Sequence, residues 1–448
     1  MVLLEQTRHW KRNVAMMVMS QILVMGGFAA AIPFVPLYLK EHLGIVNEGE
    51  RGLYMSMFYF FGMLAYGVFN PVWGSLSDRF GVKPMLLRGT FLTAVFFPMM
   101  AYVTNVWTLI ALRFVTAACA GTTAAAQTLL VKNTPEDKQG FALGMLTTAY
   151  WCGTMLGNVM GGLVVHYFGY EKTFWFCGIL YFVAGIFVIF AKDDYVPAKN
   201  LPSTPQARRF HRYRHSLLPA FTLGVWLLML LTLLYGFARS FELPYIAMLI
   251  EQIVGSSTAA FWTGIISAFV SVGSVVSGLI IGYLSDRVRP LKLLIPIMVL
   301  TSVFLLIQAL SPGLFAKPEI TVTILQRQFT VNLNLWVFGI SRTVMFLILG
   351  GSSAIFMKLM SNTTPKRKRG AVFGYRSTAH NIGSMIASCV AGWVVYSCGN
   401  VRAAFYAAAV MILLLVPLTV WIVRKAMNQP FYIAHSPFGN EEPGPADR

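Results

Sequence analysis

The chain has 448 residues, of which 56% are apolar and 12% charged, with a formal charge of +18. A soluble domain carries about 25% charged residues, and no single soluble core could hide a dozen helices that are apolar on every side. The excess of positive charge does not call for nucleic acid, because the basic runs sit between apolar spans, where membrane topology and anionic lipid account for them.

Apolar runs of about 18 residues or more can each cross a hydrocarbon layer as a helix, and they predict an all-α polytopic membrane protein with twelve transmembrane helices. Span 1, at 14–39, follows Arg8, Lys11 and Arg12; its length exceeds the apolar region of a cleavable signal, so it is expected to stay in the protein. Spans 2 and 3 (52–73 and 86–104) flank a charged loop, GSLSDRFGVKPMLLR, at 74–88. Span 4 (106–131) carries Arg113, and span 5 (141–165) carries the stretch GTMLGNVMGG. After span 6 (172–191) comes a polar linker at 192–219 with Pro197, Pro202, Pro205 and the run RRFHRYRH. Span 7 (220–249) holds Arg239 and Glu242. Spans 8 and 9 (260–281 and 291–310) flank a second charged loop, GYLSDRVRPLKLLIP, at 282–296. An insert at 311–332 precedes span 10 (333–358), which carries Arg342. The run KRKRG leads into span 11 (371–395) with Arg376 and His380, and span 12 (402–424) precedes a short polar tail.

With this topology most of the 35 Lys and Arg fall on one side of the membrane, the side of both termini, which the positive-inside rule places in the cytoplasm. All five cysteines lie in or at the ends of spans and form no C-x-x-C pair, so they read as buried thiols rather than disulfides or metal ligands. No zinc-protease or P-loop pattern suggests an enzyme, and no cofactor is expected.

The charged loop is one part of a longer repeat. Its copies stand 208 residues apart, and at the same offset Pro36 of span 1 matches Pro244 of span 7. Beyond the insert, Arg113 matches Arg342, Gly121 matches Gly350, and Thr134-Pro135 matches Thr364-Pro365. The expected organisation is a six-helix half at 1–191, a linker at 192–219, a second six-helix half at 220–426 and a tail at 427–448. Two halves of the same orientation imply a pseudo-twofold axis along the membrane normal, with a small-molecule site between them near the midplane. The loop then has a mechanical use. Gly74 would let helices approach closely, and Asp78 would accept bonds from the N-terminus of span 11, near Gly370 and Ala371, holding the cytoplasmic side closed.

These residues resemble a known family. The loop is similar to the signature of the major facilitator superfamily, G-x-x-x-D-R-x-G-R/K-R/K. Gly74, Asp78, Arg79, Gly81 and Lys83 are in place, and Val82 stands where a basic residue is usual. Asp286 and Arg287 keep the acid–base pair in the second copy, while Arg289 replaces the later glycine. GTMLGNVMGG resembles the antiporter pattern G-x-x-x-G-P-x-x-G-G in Gly153, Gly157, Gly161 and Gly162, with Asn158 in place of the proline. Arg113 fits the span-4 arginine of the twelve-span drug–proton antiporters. The resemblance implies a monomeric transporter of the inner membrane that works by alternating access. The four glycines are expected to pack against a neighbour, span 8, and seal the cavity from outside.

Charges within the spans narrow the site. An unpaired charge at midplane costs about 2.5–3.5 kcal/mol on insertion scales, so each calls for a partner or a task. Glu242 is the carboxylate well inside a span, and it lies three residues from Arg239 on one helix face. Proton coupling needs a group that titrates between the two faces of the cycle. Glu242 is the first candidate, because burial raises a carboxylate's pKa, and His380 is the second, because an imidazole titrates near 6.5. Arg113, Arg239 and Arg342 complete the candidate set. The leading expectation is proton-coupled efflux of amphipathic or cationic compounds. The alternative is an organic-anion or metabolite transporter with a basic cavity; a non-transporting sensor ranks behind both.

Overall fold

In hydrocarbon a backbone N–H or C=O has no water to bond, so a spanning segment must satisfy all of them within itself, and each apolar run therefore winds into a helix. The computed structural model describes residues 9–135, 138–192, 221–324, 327–364 and 369–428. Helices α1 (Trp10–Ala31) and α2 (Val35–Glu41) make span 1; α3 (Glu48–Phe80) and α4 (Val82–Met99) are spans 2 and 3. Helices α5 (Val106–Cys119) and α6 (Thr122–Asn133) make span 4, followed by α7 (Gln139–Phe168) and α8 (Tyr170–Phe190) as spans 5 and 6. The plan then repeats. Helices α9 (Leu223–Ser240) and α10 (Ile246–Val254) make span 7; α11 (Ser256–Arg287) and α12 (Pro290–Leu310) are spans 8 and 9. Helices α13 (Leu333–Leu349) and α14 (Ser352–Asn362) make span 10, with α15 (Arg369–Cys398) and α16 (Arg402–Met427) as spans 11 and 12.

Ten of these segments are long and apolar enough to cross a membrane by themselves. Spans 4 and 5 complete the twelve, the first being broken and the second rich in glycine. Half of the spans run a turn or more past one end of the apolar stretch that predicts them; span 2, expected at 52–73, extends over Glu48–Phe80. The linker expected at 192–219 falls, except for Lys192, outside the described residues.

The breaks recur at equivalent places. Spans 1 and 7 each pass through a 3-10 turn, at Ile32–Phe34 and Leu243–Tyr245, where Pro33 and Pro244 lack the N–H that an α-helix would use. Span 4 breaks at Gly121, whose φ of +95° suits glycine, and span 10 breaks at Gly350 and Gly351. Neighbour relations recur too. Span 1 packs on spans 5 and 6 as span 7 packs on 11 and 12, and span 2 packs on 4 as span 8 packs on 10. The two sets of six meet where span 5 lies against span 8 and span 2 against span 11.

Short connections fold successive spans antiparallel, which defines two faces. The terminal face is the one where span 1 begins and span 12 ends; the far face lies opposite. The insert is the exception to an all-helical chain: Glu319–Ile324 (β1) and Arg327–Asn332 (β2) form an antiparallel hairpin on the far face. It is tied down at its end by Asn332, whose side chain donates to the Ile253 carbonyl, 3.3 Å away.

The span-5 glycines correct one expectation. An added Cβ at Gly153, Gly157 or Gly161 would collide with the carbonyl oxygen of Ile22, Gly26 or Ala30, so these three seat span 5 on span 1. Gly162 alone of the four turns to span 8, facing Ala260 and Gly264. The reason is helical periodicity. Residues four apart share a face, and the residue next to one of them points about 100° away.

Candidate functional site

The broken helices surround a cavity of about 240 Å³ between the two sets of six. Met25 and Phe28 of span 1, Tyr59 of span 2, and Tyr150, Trp151 and Asn158 of span 5 form one wall. Pro244 of span 7, Ser267 and Ser271 of span 8, and Arg342 and Phe346 of span 10 form the other. The lining is mostly aromatic and apolar, with Arg342 the charged side chain that reaches it.

Behind that second wall lies an ionic cluster. Glu242, fully buried, sits at the point where α9 gives way to the 3-10 turn. Its Oε1 accepts from Arg239 Nη1 at 3.0 Å, as the three-residue spacing predicts. Its Oε2 accepts from Arg342 Nη2 at 3.1 Å, and the same nitrogen lies 3.4 Å from Oε1. Arg342 Nη1 donates to Gln308 Oε1 of span 9 at 2.8 Å. Both guanidinium groups stack near the Phe346 ring, at 4.6 Å for Arg239 and 5.5 Å for Arg342. Glu242 thus ties span 7 to span 10, and its two oxygens are both engaged.

Arg113, the counterpart of Arg342, has a different setting. It is 4% exposed and lies 5.3–5.7 Å from the rings of Phe28, Phe58 and Tyr66. Its Nε and Nη1 are buried without a hydrogen-bond partner, and among the described residues no carboxylate pairs with it. Gly62 of span 2 leaves room for this side chain, since a Cβ there would stand 2.7 Å from Arg113 Nε. His380 is elsewhere: its ring and backbone press on Gly236 of span 7, and it does not line the cavity.

The far face is closed. Lys40 at the end of span 1 and Arg51 at the start of span 2 both pair with Glu251 of span 7, Arg51 at 2.8 Å. Gln252 donates to both oxygens of Glu48, at 2.7 and 2.8 Å, and the hydroxyls of Ser56 and Tyr245 bond across the same seam. Each contact joins the first set of six to the second. Nothing in the sequence marked Glu251, because it closes an apolar run at the membrane boundary and its partners lie some 200 residues away.

Toward the terminal face the described helices make few close approaches through their glycines. Gly74, Gly140, Gly144, Gly278, Gly282 and Gly374, on spans 2, 5, 8 and 11, have space where a Cβ would stand. The close helix approach expected at Gly74 has no counterpart among the described residues, where nothing stands within 4 Å of an added Cβ. Gly81, with φ +95°, makes the sharp turn from α3 into α4, and Lys83 Nζ donates to the Ile189 carbonyl at 2.7 Å. Arg287 lies 4.2 Å from the Tyr283 ring. The side chains of Asp78, Arg79 and Asp286, and of Gly370 and Ala371 at the start of span 11, lie outside the described residues, and the expected Asp78 contact lies there with them.

Glu251→Gln should loosen the far face, because it leaves Arg51, 3% exposed, without its counter-charge. Removing one partner of a buried ion pair costs about 3–5 kcal/mol. Nitroxide labels at the exposed Val46 and Ser257 would then show a longer-distance population than in the unsubstituted protein. An unchanged distance distribution would mean that these ion pairs do not hold the face shut.

A helical membrane protein of twelve spans, with matching sets of six around a cavity closed at the far face, has the build of a transporter rather than of an enzyme. The chain belongs to the Major Facilitator Superfamily, whose sequence profile matches residues 17–325 and 228–434. It is 27% identical over 410 residues to the multidrug resistance protein MdtG of Proteus mirabilis, covering 90% of this chain and 94% of that one. It is 25% identical over 397 residues to the PmrA multi-drug resistance efflux pump homolog of Lactococcus lactis, covering 87% and 91%. In fold it is similar to the crystal structure of a D-xylose–proton symporter, with a TM-score of 0.69, 12% identity and coverage of 93% and 99%.

Proposed function

We propose that this chain is a proton-coupled exporter of amphipathic compounds that works by alternating access. In this reading it sits in the cell's inner membrane, with the terminal face in the cytoplasm, and the structure is its inward-open state. The observation that carries the reading is the Arg239–Glu242–Arg342 cluster, a buried titratable group at a helix break beside the cavity. Ionised, Glu242 holds spans 7 and 10 together through two arginines. Protonated, it gives up that attraction, and a span already broken at Pro244 can pivot. Rocking of the two halves would then exchange the closed far face for a closed terminal face. The relatives named as a multidrug resistance protein and a multi-drug resistance efflux pump homolog support export, and the mostly aromatic and apolar lining of the cavity supports an amphipathic cargo.

Vesicles containing the purified protein and a trapped pH dye test this. Under an imposed proton gradient, a panel of amphiphiles should drive protein-dependent proton movement, and collapsing the gradient should slow cargo flux about tenfold or more, equivalent to about 1.4 kcal/mol in the apparent activation barrier. Cargo flux that ignores the gradient would remove proton coupling from the reading.

A further inference from the structure

The charges around the cavity do not balance. Among the described residues Arg342 lines it, Arg239 stands behind Arg342 and Arg113 behind Phe28, and Glu242 is the carboxylate paired with two of these three arginines. That carboxylate is fully buried and holds two arginines, so it is not offered to a cationic cargo. Arg113 is the opposite case: a guanidinium within the membrane, buried and with two nitrogens unpartnered. Such a charge is costly to leave uncompensated. Phe28 connects it to the cavity, lying 5.3 Å from its guanidinium carbon and lining the cavity itself.

We propose that the cavity takes amphiphiles carrying one anionic group, a carboxylate, sulfonate or phosphate, with Arg113 and Arg342 as its counter-charges. This rests on the transporter reading above and departs from the cationic cargo that the drug–proton antiporters suggest. The aromatic lining of Phe28, Trp151 and Phe346 receives the apolar body, and a guanidinium offers a carboxylate or phosphate paired donors. The anion's main anchor lies in span 4 and the proton site in span 7, and Arg342, which bonds Glu242 and lines the cavity, is shared between cargo and proton and couples them.

The test uses two probes of one shape, 2-naphthoate and 2-naphthylmethylammonium, with the full chain in nanodiscs of zwitterionic lipid. Naphthoate should bind at least about tenfold more tightly than the ammonium, about 1.4 kcal/mol. Arg113→Gln should reduce that ratio about tenfold and Arg113→Lys should restore part of it, a rescue that a merely structural arginine would not give. Melting temperatures of the variants identify any that fail to fold, and Arg342→Lys, which keeps the charge beside Glu242 but loses the paired donors, then provides a second substitution that should lower naphthoate affinity. Equal affinity for the two probes, or tighter ammonium binding, overturns the proposal. Repeating the titration in discs with phosphatidylglycerol separates the sources of the anion: unchanged affinity assigns the site to free compounds, and competition assigns it to a lipid headgroup. The outcomes of the two readings separate as well. Naphthoate binding without flux in vesicles would count against the exporter and leave the charge preference standing; flux of the ammonium alone would do the reverse.

Discussion

Replacing Gly157 by valine is expected to abolish the recovery of folded protein. Span 5 crosses span 1 with backbone against backbone, and even a single Cβ at Gly157 would collide with the Gly26 carbonyl oxygen. Lipid provides no hydrophobic drive between helices, so close packing of this kind is a main source of their association. Ordinary overpacking of a core costs about 1–3 kcal/mol. Here the obstructing atoms are backbone, which cannot rotate away, and the same seam repeats at Gly153 and Gly161, so the cost should exceed that range. Size-exclusion profiles and melting temperatures after purification measure it. Gly140→Val, where an added Cβ meets open space, is the comparison and should behave as wild type. Wild-type recovery and melting of Gly157→Val would show that spans 1 and 5 do not need this contact.

The second large effect concerns Glu242. Glu242→Gln leaves Arg239 and Arg342 facing each other with no acid between them, and breaking a buried pair in this way typically costs about 3–5 kcal/mol. Proton movement in vesicles should fall to that of protein-free controls, because the remaining amide cannot titrate. A second substitution separates the two roles. Glu242→Gln combined with Arg239→Gln removes one excess positive charge and should recover most of the thermal stability, while proton movement stays absent. Recovery of both would make Glu242 a structural ion and nothing more; persistent proton movement in the single variant would transfer the carrier role to His380, the alternative within the spans.

The division between what the sequence discloses and what it withholds follows from distance along the chain. Twelve spans are legible because the bilayer imposes one rule on each segment separately. The Arg239–Glu242 pair is legible because a helix brings residues three apart onto one face. Arg342 joins that pair from 100 residues away, and Gln308 joins Arg342 from another span, so only the folded bundle reveals a four-residue cluster. The glycine pattern gave its own face of span 5 but not the identity of the helix opposite it, and three of four glycines meet span 1 rather than span 8. Glu251 was hidden for a related reason: a carboxylate at the edge of an apolar run reads as a boundary residue until Lys40 and Arg51 are placed beside it.

The hairpin between spans 9 and 10 gains significance from where it is anchored. Asn332 holds the Ile253 carbonyl, two residues beyond Glu251, and Leu333 N donates to the Pro318 carbonyl at 2.7 Å across the base of the hairpin. The strands are thereby fastened to the end of span 7 that the ion pairs clamp. In the proposed cycle, an antibody fragment gripping those strands and raised against this closed far face would hold the clamped end of span 7 in place and stop transport without entering the membrane.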